Sequence, residues 1–302
     1  MNIPDFFLVG APKAGTTAFY HYLQQHPEVY MSPVKEPGFF AFADDPLDYR
    51  DADGNPASLC EYTITTPDAY QSLFAAAPDD ALTGEATTLY LHSEEAAHRI
   101  QHARPNAKIL IVLRHPVERA YASFMHCLRD DREPIRDFET ALQKEEERIE
   151  QNWGFLWRYA SQSFYADAVE RYLRLFGEEQ VRVGMFEAFT DAPIAWIQDL
   201  YRFLGCDASF EPDTQTRYNA SGVPKNRWID QFLGQRHPIK EIIKPLFPEA
   251  LRQRLATRLR NKNLEKPCLS PAVRGRLLDR FREDIRRTED LTRHDLSHWL
   301  SE

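Results

Sequence analysis

Long apolar runs are missing from this 302-residue chain. None approaches the roughly 20 residues that a membrane-spanning helix needs. Cysteine is scarce: Cys60, Cys127, Cys206 and Cys268 stand far apart, with no Cys-x-x-Cys spacing. Free buried thiols are therefore expected, in place of a disulfide framework or a zinc ribbon. There is no His-Glu-x-x-His pair and no acidic calcium loop, so no metal site is predicted. Internal repeats and low-complexity tracts are lacking too. Basic charge is in deficit, with 37 Lys and Arg against 46 Asp and Glu, a net −9. The deficit is uneven. Residues 236–302 hold 16 basic and 10 acidic side chains, a local +6, which leaves −15 on the rest. An acidic body argues against nucleic acid as a partner. The basic end reads as a solvated, arginine-rich helical face, with attraction to an anionic acceptor or a membrane surface as the other reading.

What is present supports a full core: 43% hydrophobic residues and 12% aromatic. Apolar strand-like runs alternate with helical patterns. The expected fold class is α/β, a P-loop-like, mostly parallel sheet flanked by helices on both faces, with a helical C-terminal region. One catalytic domain over residues 1–235 is expected, with residues 236–302 as a helical extension packed on it. The first strand begins by Phe6. That leaves no room for a signal peptide, so a cytoplasmic location is expected. Along the chain, residues 33–37 and 44–56 are loop-rich and suited to walling a site. The charged run Lys144-Glu145-Glu146-Glu147-Arg148 reads as a solvated helix face. Tyr165, Ala168, Val169, Tyr172 and Phe176 form an amphipathic stripe that Gly177 ends. Val181, Val183 and Met185 alternate as a strand; Asp191 is placed to cap a helix that Gly205 stops. Trp153, Phe155, Trp157 and Tyr159 alternate as core residues, with an acceptor pocket as the other assignment.

The most informative stretch is residues 6–17. An apolar strand, residues 6–9, enters a loop bounded by Gly10 and Gly15, and Thr16 opens a helix carrying Phe19, Tyr22 and Leu23 on one side. Strand, glycine loop and helix N-terminus together hold phosphate, because backbone N–H groups and the helix dipole both favour an anion. A Walker A loop carries its lysine after the second glycine. Here Thr16 stands there and the lysine is Lys13, inside the loop. A lysine so placed suits a nucleotide with one 5′-phosphate and a transferable group on it. A second strand, residues 109–113, ends in Arg114, and Pro116 suits the first position of the helix that follows. Ligands bind beyond the carboxyl ends of such strands, and guanidinium is the group for bidentate phosphate contacts.

Pro12-Lys13-Ala14-Gly15-Thr16-Thr17 resembles the 5′-phosphosulfate loop of sulfotransferases that use 3′-phosphoadenosine 5′-phosphosulfate (PAPS). The segment from Arg114 to Ser123 resembles their 3′-phosphate element, with the serine nine residues after the arginine where the family usually has eight. The resemblance, closest to bacterial members related to the heparan sulfate type, covers residues 5–230. It implies that Lys13, Ala14, Gly15, Thr16 and Thr17 hold the 5′-phosphosulfate, with Lys13 also stabilising the leaving phosphate. Arg114 and Ser123 would bind the 3′-phosphate. Ser221, Gly222 and Lys225, in a late basic loop, would fold over the nucleotide. Lys35-Glu36-Pro37-Gly38-Phe39-Phe40 resembles the segment of the heparan sulfate type that carries the general base, which makes Glu36 the catalytic base. Glu85 is the rival base, and Lys35, Glu85 and Tyr90 are candidate acceptor-pocket residues. Ala86 stands where the heparan sulfate type often carries a catalytic lysine. His92, His115 and His126 match no base motif and read as structural. PAPS is the implied sulfuryl donor, with no metal, and the acceptor would be a glycan or small molecule bearing a hydroxyl or amine. Two other readings are a P-loop kinase and a non-catalytic adenosine bisphosphate binding module.

Overall fold

A computed structural model describes residues 3–43, 47–214 and 268–301, with the backbone of residues 223–224 and 264–265. Its centre is a five-stranded parallel sheet in the order β2-β3-β1-β4-β5. The strands are β1 (Phe6–Gly10), β2 (Val29–Met31), β3 (Leu82–Ala86), β4 (Lys108–Leu113) and β5 (Val181–Met185). All five residues of β1 are buried, as an apolar run covered on both faces requires. Phe6 pairs with Gly84, and its ring lies across that glycine: a Cβ there would sit 2.1 Å from Phe6 Cζ.

Helix α1 (Thr16–Leu23) connects β1 to β2. Three short helices, α2 (Phe39–Phe42), α3 (Leu59–Tyr62) and α4 (Pro67–Ser72), fill the segment before β3. Helix α5 (Glu94–Ala103) leads to β4 and α6 (Pro116–Arg129) leaves it. Then come α7 (Phe138–Gln143), α8 (Glu145–Glu150) and α9 (Ala166–Phe176), β5, α10 (Phe186–Asp191), α11 (Pro193–Leu204) and, after the segment outside the described residues, α12 (Pro271–Thr292).

The chain steps one way from β1 to β2 and the other way from β3 to β4 and β4 to β5. Right-handed crossovers therefore put α1 on one face and α5 and α9 on the other. On the first face Phe19 packs 4.4 Å from Phe189 and 4.5 Å from Trp196, and Tyr201 donates to the Tyr22 carbonyl at 3.0 Å. On the second, Tyr172 donates to the Tyr90 carbonyl at 2.9 Å. Helix α12 closes over α9. Asp284 accepts from the N–H groups of Tyr165 (2.7 Å) and Ala166 (3.1 Å), the free donors at the start of α9.

Three local expectations change. The charged run at 144–148 is not wholly solvated. Lys144 separates α7 from α8, which holds the rest of the run, and Glu145 and Arg148 are both 4% exposed. Glu145 accepts from the amides of Ala160 (2.6 Å) and Ser161 (2.7 Å), while Arg148 grips Glu133 through two bonds of 2.7 and 2.8 Å. Buried donors and a buried partner thus claim two charges of a run that composition alone assigns to water. Asp191 ends α10 and does not cap α11; Ala192 is the cap residue, and Pro193 supplies the preset first turn. Of the four free cysteines only Cys127 is buried; Cys268 is exposed. Among the described residues no helix is long and apolar enough to cross a membrane.

Candidate active site

The sheet order reverses around β1, so a crevice opens beyond the carboxyl ends of β1 and its neighbours. A cavity of about 330 Å³ lies there. Lys13, Thr16 and Thr17 form one wall, Lys35 and Glu36 another, Ser123 and His126 of α6 a third, and Phe155 and Trp157 the far side.

The β1–α1 loop turns through two left-handed residues, Lys13 (φ 66°) and Gly15 (φ 82°). Gly15 is obligatory for a second reason: a Cβ would lie 2.7 Å from the Phe186 ring. Helix α1 has no side-chain cap and no acidic residue in its first turn. The N–H groups of Thr16 and Thr17 therefore stand open to an anion. The Ala14 amide is not free, since it bonds the Ala11 carbonyl at 3.2 Å. Ala14 is buried and shapes the loop. Burial, reinforced by nearby Arg129, pulls the Lys13 ammonium down from 10.5 to about 8.

Arg114 follows β4 and reaches over the same loop. Its guanidinium donates to the Lys13 carbonyl at 3.0 Å and lies 5.1 Å from the centre of the Phe186 ring. Tyr165 holds its backbone carbonyl at 2.9 Å. Arg114 is not part of the cavity lining, whereas Ser123 is, although only 4% exposed. Of the two expected 3′-phosphate ligands, Arg114 touches the Lys13 loop and Ser123 shares the cavity with Lys13. Ser221, Gly222 and Lys225 lie outside the described residues.

Glu36 is also held in the left-handed region, at φ 64°. Its amide donates to the Ala86 carbonyl at 2.9 Å, which fastens it beside β3. Its carboxylate accepts from the Thr88 amide at 2.7 Å and the Thr88 hydroxyl at 3.2 Å, and pairs with Lys35 Nζ at 2.5 Å. Non-glycine residues at positive φ are uncommon and costly, and they concentrate at functional sites. Five occur among the described residues, and both Lys13 and Glu36 are among them.

Glu85 and Tyr90 sit behind this wall and do not line the cavity. Glu85 is fully buried and accepts from Tyr70 and Thr87, each at 2.5 Å. Burial raises its carboxyl from 4.5 to about 7 against the pull of those bonds. Thr87 in turn accepts from the Gly38 amide at 3.4 Å. Glu85 therefore supports the Glu36 loop from below, and its burial removes it from contact with an acceptor in the cavity. Tyr90, also fully buried, accepts from the Phe40 amide at 3.1 Å.

Among the histidines, His92 is half-buried and desolvation pushes it down to about 3, and His115 caps α6 through the Val117 amide at 3.2 Å. His126, by contrast, lines the cavity. Thr88, Tyr62 and Arg132 are further lining residues that sequence reasoning missed. Thr88 had a usable signal, as a hydroxyl three residues from Glu85; Tyr62 and Arg132 lie in loops without a motif. The alternating aromatics divide: Phe155 and Trp157 line the cavity, while Tyr159 is core.

One group of metal-type side chains occurs among the described residues, His26, Glu28 and Cys206, with ligand atoms within 4.8 Å of one another. Its imidazole is already engaged at both nitrogens, by the Glu28 amide (3.2 Å) and the Asp207 carbonyl (2.9 Å). Glu28 accepts from the Asp207 amide at 2.8 Å. The group ties the end of α1 to the loop after α11.

A glycine loop, an uncapped helix N-terminus and two cations beyond the ends of adjacent parallel strands give the crevice a P-loop-like arrangement. The chain belongs to the sulfotransferase family, whose profile matches residues 4–212. A sulfotransferase from Alicyclobacillus acidocaldarius is 35% identical in its solved structure, with all of both chains covered and a TM-score of 0.78. The human heparan sulfate glucosamine 3-O-sulfotransferase 3B1 is 27% identical over 206 residues, 68% of this chain and 46% of that protein. The membrane-associated sulfotransferase kil1 of Dictyostelium discoideum is 29% identical over 153 residues, 49% of this chain and 29% of that protein. The chain thus spans less than half the length of these curated relatives. Fold and family are those of sulfuryl transfer.

Proposed function

We propose that the chain transfers the sulfuryl group of PAPS to a hydroxyl or amine of a carbohydrate or small-molecule acceptor. One observation carries this reading: Lys13 and Glu36, each held at positive φ, face one cavity from different walls. Lys13 and the amides of Thr16 and Thr17 hold the 5′-phosphosulfate; Arg114 and Ser123 serve the 3′-phosphate. The donor supplies the sulfuryl group and a phosphate leaving group. Glu36 takes the acceptor proton, and Thr88 and Lys35 fix its carboxylate for that task. Lys13 balances the charge that builds on the leaving 5′-phosphate. Phe155 and Trp157 offer flat faces to a sugar or a phenol. Residues 1–235 form the catalytic unit in this reading; of the extension over 236–302, the packing of α12 on α9 supports the part that α12 forms, and residues 236–263 and 266–267 lie outside the described residues.

The test is transfer of label from radiolabelled PAPS to a panel of glycans and phenols. Wild type should release adenosine 3′,5′-bisphosphate in step with labelled product, and Glu36→Gln should lose about 100-fold or more in kcat. Near-normal turnover by Glu36→Gln, with nucleotide binding unchanged, would remove Glu36 as the base.

A further inference from the structure

Two lysines and one arginine line the cavity. Lys13 belongs to the nucleotide loop, and Lys35 pairs with Glu36 at 2.5 Å. Arg132 is exposed, and among the described residues its guanidinium makes no hydrogen bond, ion pair or ring contact. Asp130 is claimed by Arg129 at 2.8 Å and Glu133 by Arg148 at 2.7 Å. The Arg132 backbone is nonetheless fixed. Asp131, at φ 53°, turns the chain after α6, and the Arg132 amide donates to the Cys127 carbonyl at 2.8 Å. The Arg132 carbonyl accepts from Trp157 Nε1 at 3.1 Å, and Trp157 is itself part of the wall. Lys13, Glu36 and Asp131 are three of the five non-glycine residues at positive φ among the described residues. Such conformations persist only where the surroundings enforce them. The backbone cost that places the donor lysine and the base is thus met a third time, next to Arg132.

Much of the remaining wall is apolar: Leu59, Leu89, Phe155, Leu156 and Trp157. Aliphatic side chains leave the hydroxyls of a sugar unpaired, whereas they accept the edges of a carbon ring. Tyr62 lies within reach of both charges of the wall. Desolvation raises its phenol, Glu36 adds to that rise and Arg132 opposes it. Base and guanidinium therefore flank one aromatic side chain. We propose that Arg132 selects the acceptor, holding the carboxylate of an apolar, ring-bearing hydroxy acid whose hydroxyl is placed at Glu36. This deepens the sulfuryl-transfer reading and rests on it. Guanidinium meets carboxylate through two parallel bonds, which fixes the acid in orientation as well as in place. The acceptor oxygen forms its bond to sulfur as the bond from sulfur to the 5′-phosphate oxygen breaks. The acceptor proton goes to Glu36, and the electron pair leaves with the phosphate. Arg132 touches the acceptor away from these atoms, so its effect falls on KM more than on kcat.

The experiment gives the full chain radiolabelled PAPS and para-hydroxybenzoate, para-hydroxyphenylacetate or para-hydroxyphenylpropionate, each beside its methyl ester, with methyl glucoside as the neutral sugar. The acids differ in the distance from hydroxyl to carboxylate, so together they sample the gap between Glu36 and Arg132. At least one acid should exceed its ester in kcat/KM by on the order of 30-fold, the size of one charge-assisted pair. Arg132→Met should bring that ratio near parity, through KM, while adenosine 3′,5′-bisphosphate affinity stays within about threefold. Arg132→Lys keeps the charge without the fork and should hold an intermediate ratio. Melting temperatures of both variants show that the fold is kept. A wild type that binds adenosine bisphosphate but sulfates none of the acids, treats acid and ester alike, or prefers methyl glucoside overturns the inference and leaves the sulfuryl-transfer reading in place. So does a ratio that Arg132→Met leaves intact. Loss of adenosine bisphosphate affinity in that variant would move the guanidinium to the nucleotide and overturn it as well. A wild type that binds no adenosine bisphosphate overturns the functional reading and the inference with it.

Discussion

The guanidinium of Arg114 donates to the backbone carbonyl of Lys13 at 3.0 Å. The cation assigned to one end of the nucleotide thus braces the loop that carries the cation for the other end. Removing Arg114 should therefore have two effects, a lost 3′-phosphate contact and a looser loop. Arg114→Ala should weaken adenosine 3′,5′-bisphosphate by roughly 10–100-fold, the size of one or two charge-assisted bonds. AMP should weaken less. Calorimetry with both nucleotides separates the effects; equal losses would mean that Arg114 acts on the loop alone.

The lowered Lys13 value gives a pH signature. In the free protein Lys13 is charged below about pH 8 and neutral above it. Affinity for adenosine 3′,5′-bisphosphate should fall as pH rises through 8, and Lys13→Met should bind weakly without that dependence. Stability moves the other way. The unfolded lysine keeps its proton up to about 10.5, so stability should rise between pH 8 and 10.5 as the buried charge is lost from the folded state. Binding titrations and thermal melts across that range check both signs.

Glu85 has the opposite linkage. Its carboxyl is raised to about 7 when folded. Between pH 4.5 and 7 the folded state holds a proton that the unfolded state has released. Stability from this group is full below 4.5 and lost as pH rises through 7, by on the order of 3 kcal/mol. Glu85→Gln should flatten the melting temperature in that window. An unchanged slope would assign the dependence to other groups.

Gly15→Ala meets two obstacles, φ at 82° and the Phe186 ring at 2.7 Å. The variant should lose about 1–3 kcal/mol and most nucleotide affinity. Adding Phe186→Leu should return the steric part only, leaving the cost of the left-handed turn. Full recovery in the double variant would mean that the ring alone enforces glycine.

Local order was legible where one force dominates. Residues 6–17 announce a buried strand, a left-handed turn and a helix start, and β1, Gly15 and α1 follow at those positions. Gly177 and Gly205 end α9 and α11 as read, both at positive φ. Legibility fails where a distant partner decides. Glu145 is buried because the amides of Ala160 and Ser161 need an acceptor, and no local pattern encodes that. His126 carries no motif in sequence, because its place in the cavity depends on walls built from other elements. Glu85 is withdrawn from the cavity because the buried hydroxyls of Tyr70 and Thr87 claim its carboxylate, and Tyr70 is distant in sequence.

Asp284 belongs to α12, and it closes the start of α9. There Tyr165 holds the Arg114 carbonyl, and Arg114 holds the Lys13 carbonyl. Four residues, from near the end of the chain to near its beginning, form one continuous bracket behind the nucleotide loop. During synthesis the ribosome delivers Lys13 first and Asp284 more than 250 residues later. The loop is therefore braced in full only once the chain has emerged past Asp284, so a chain truncated before that residue should carry a slack site and hold nucleotide weakly.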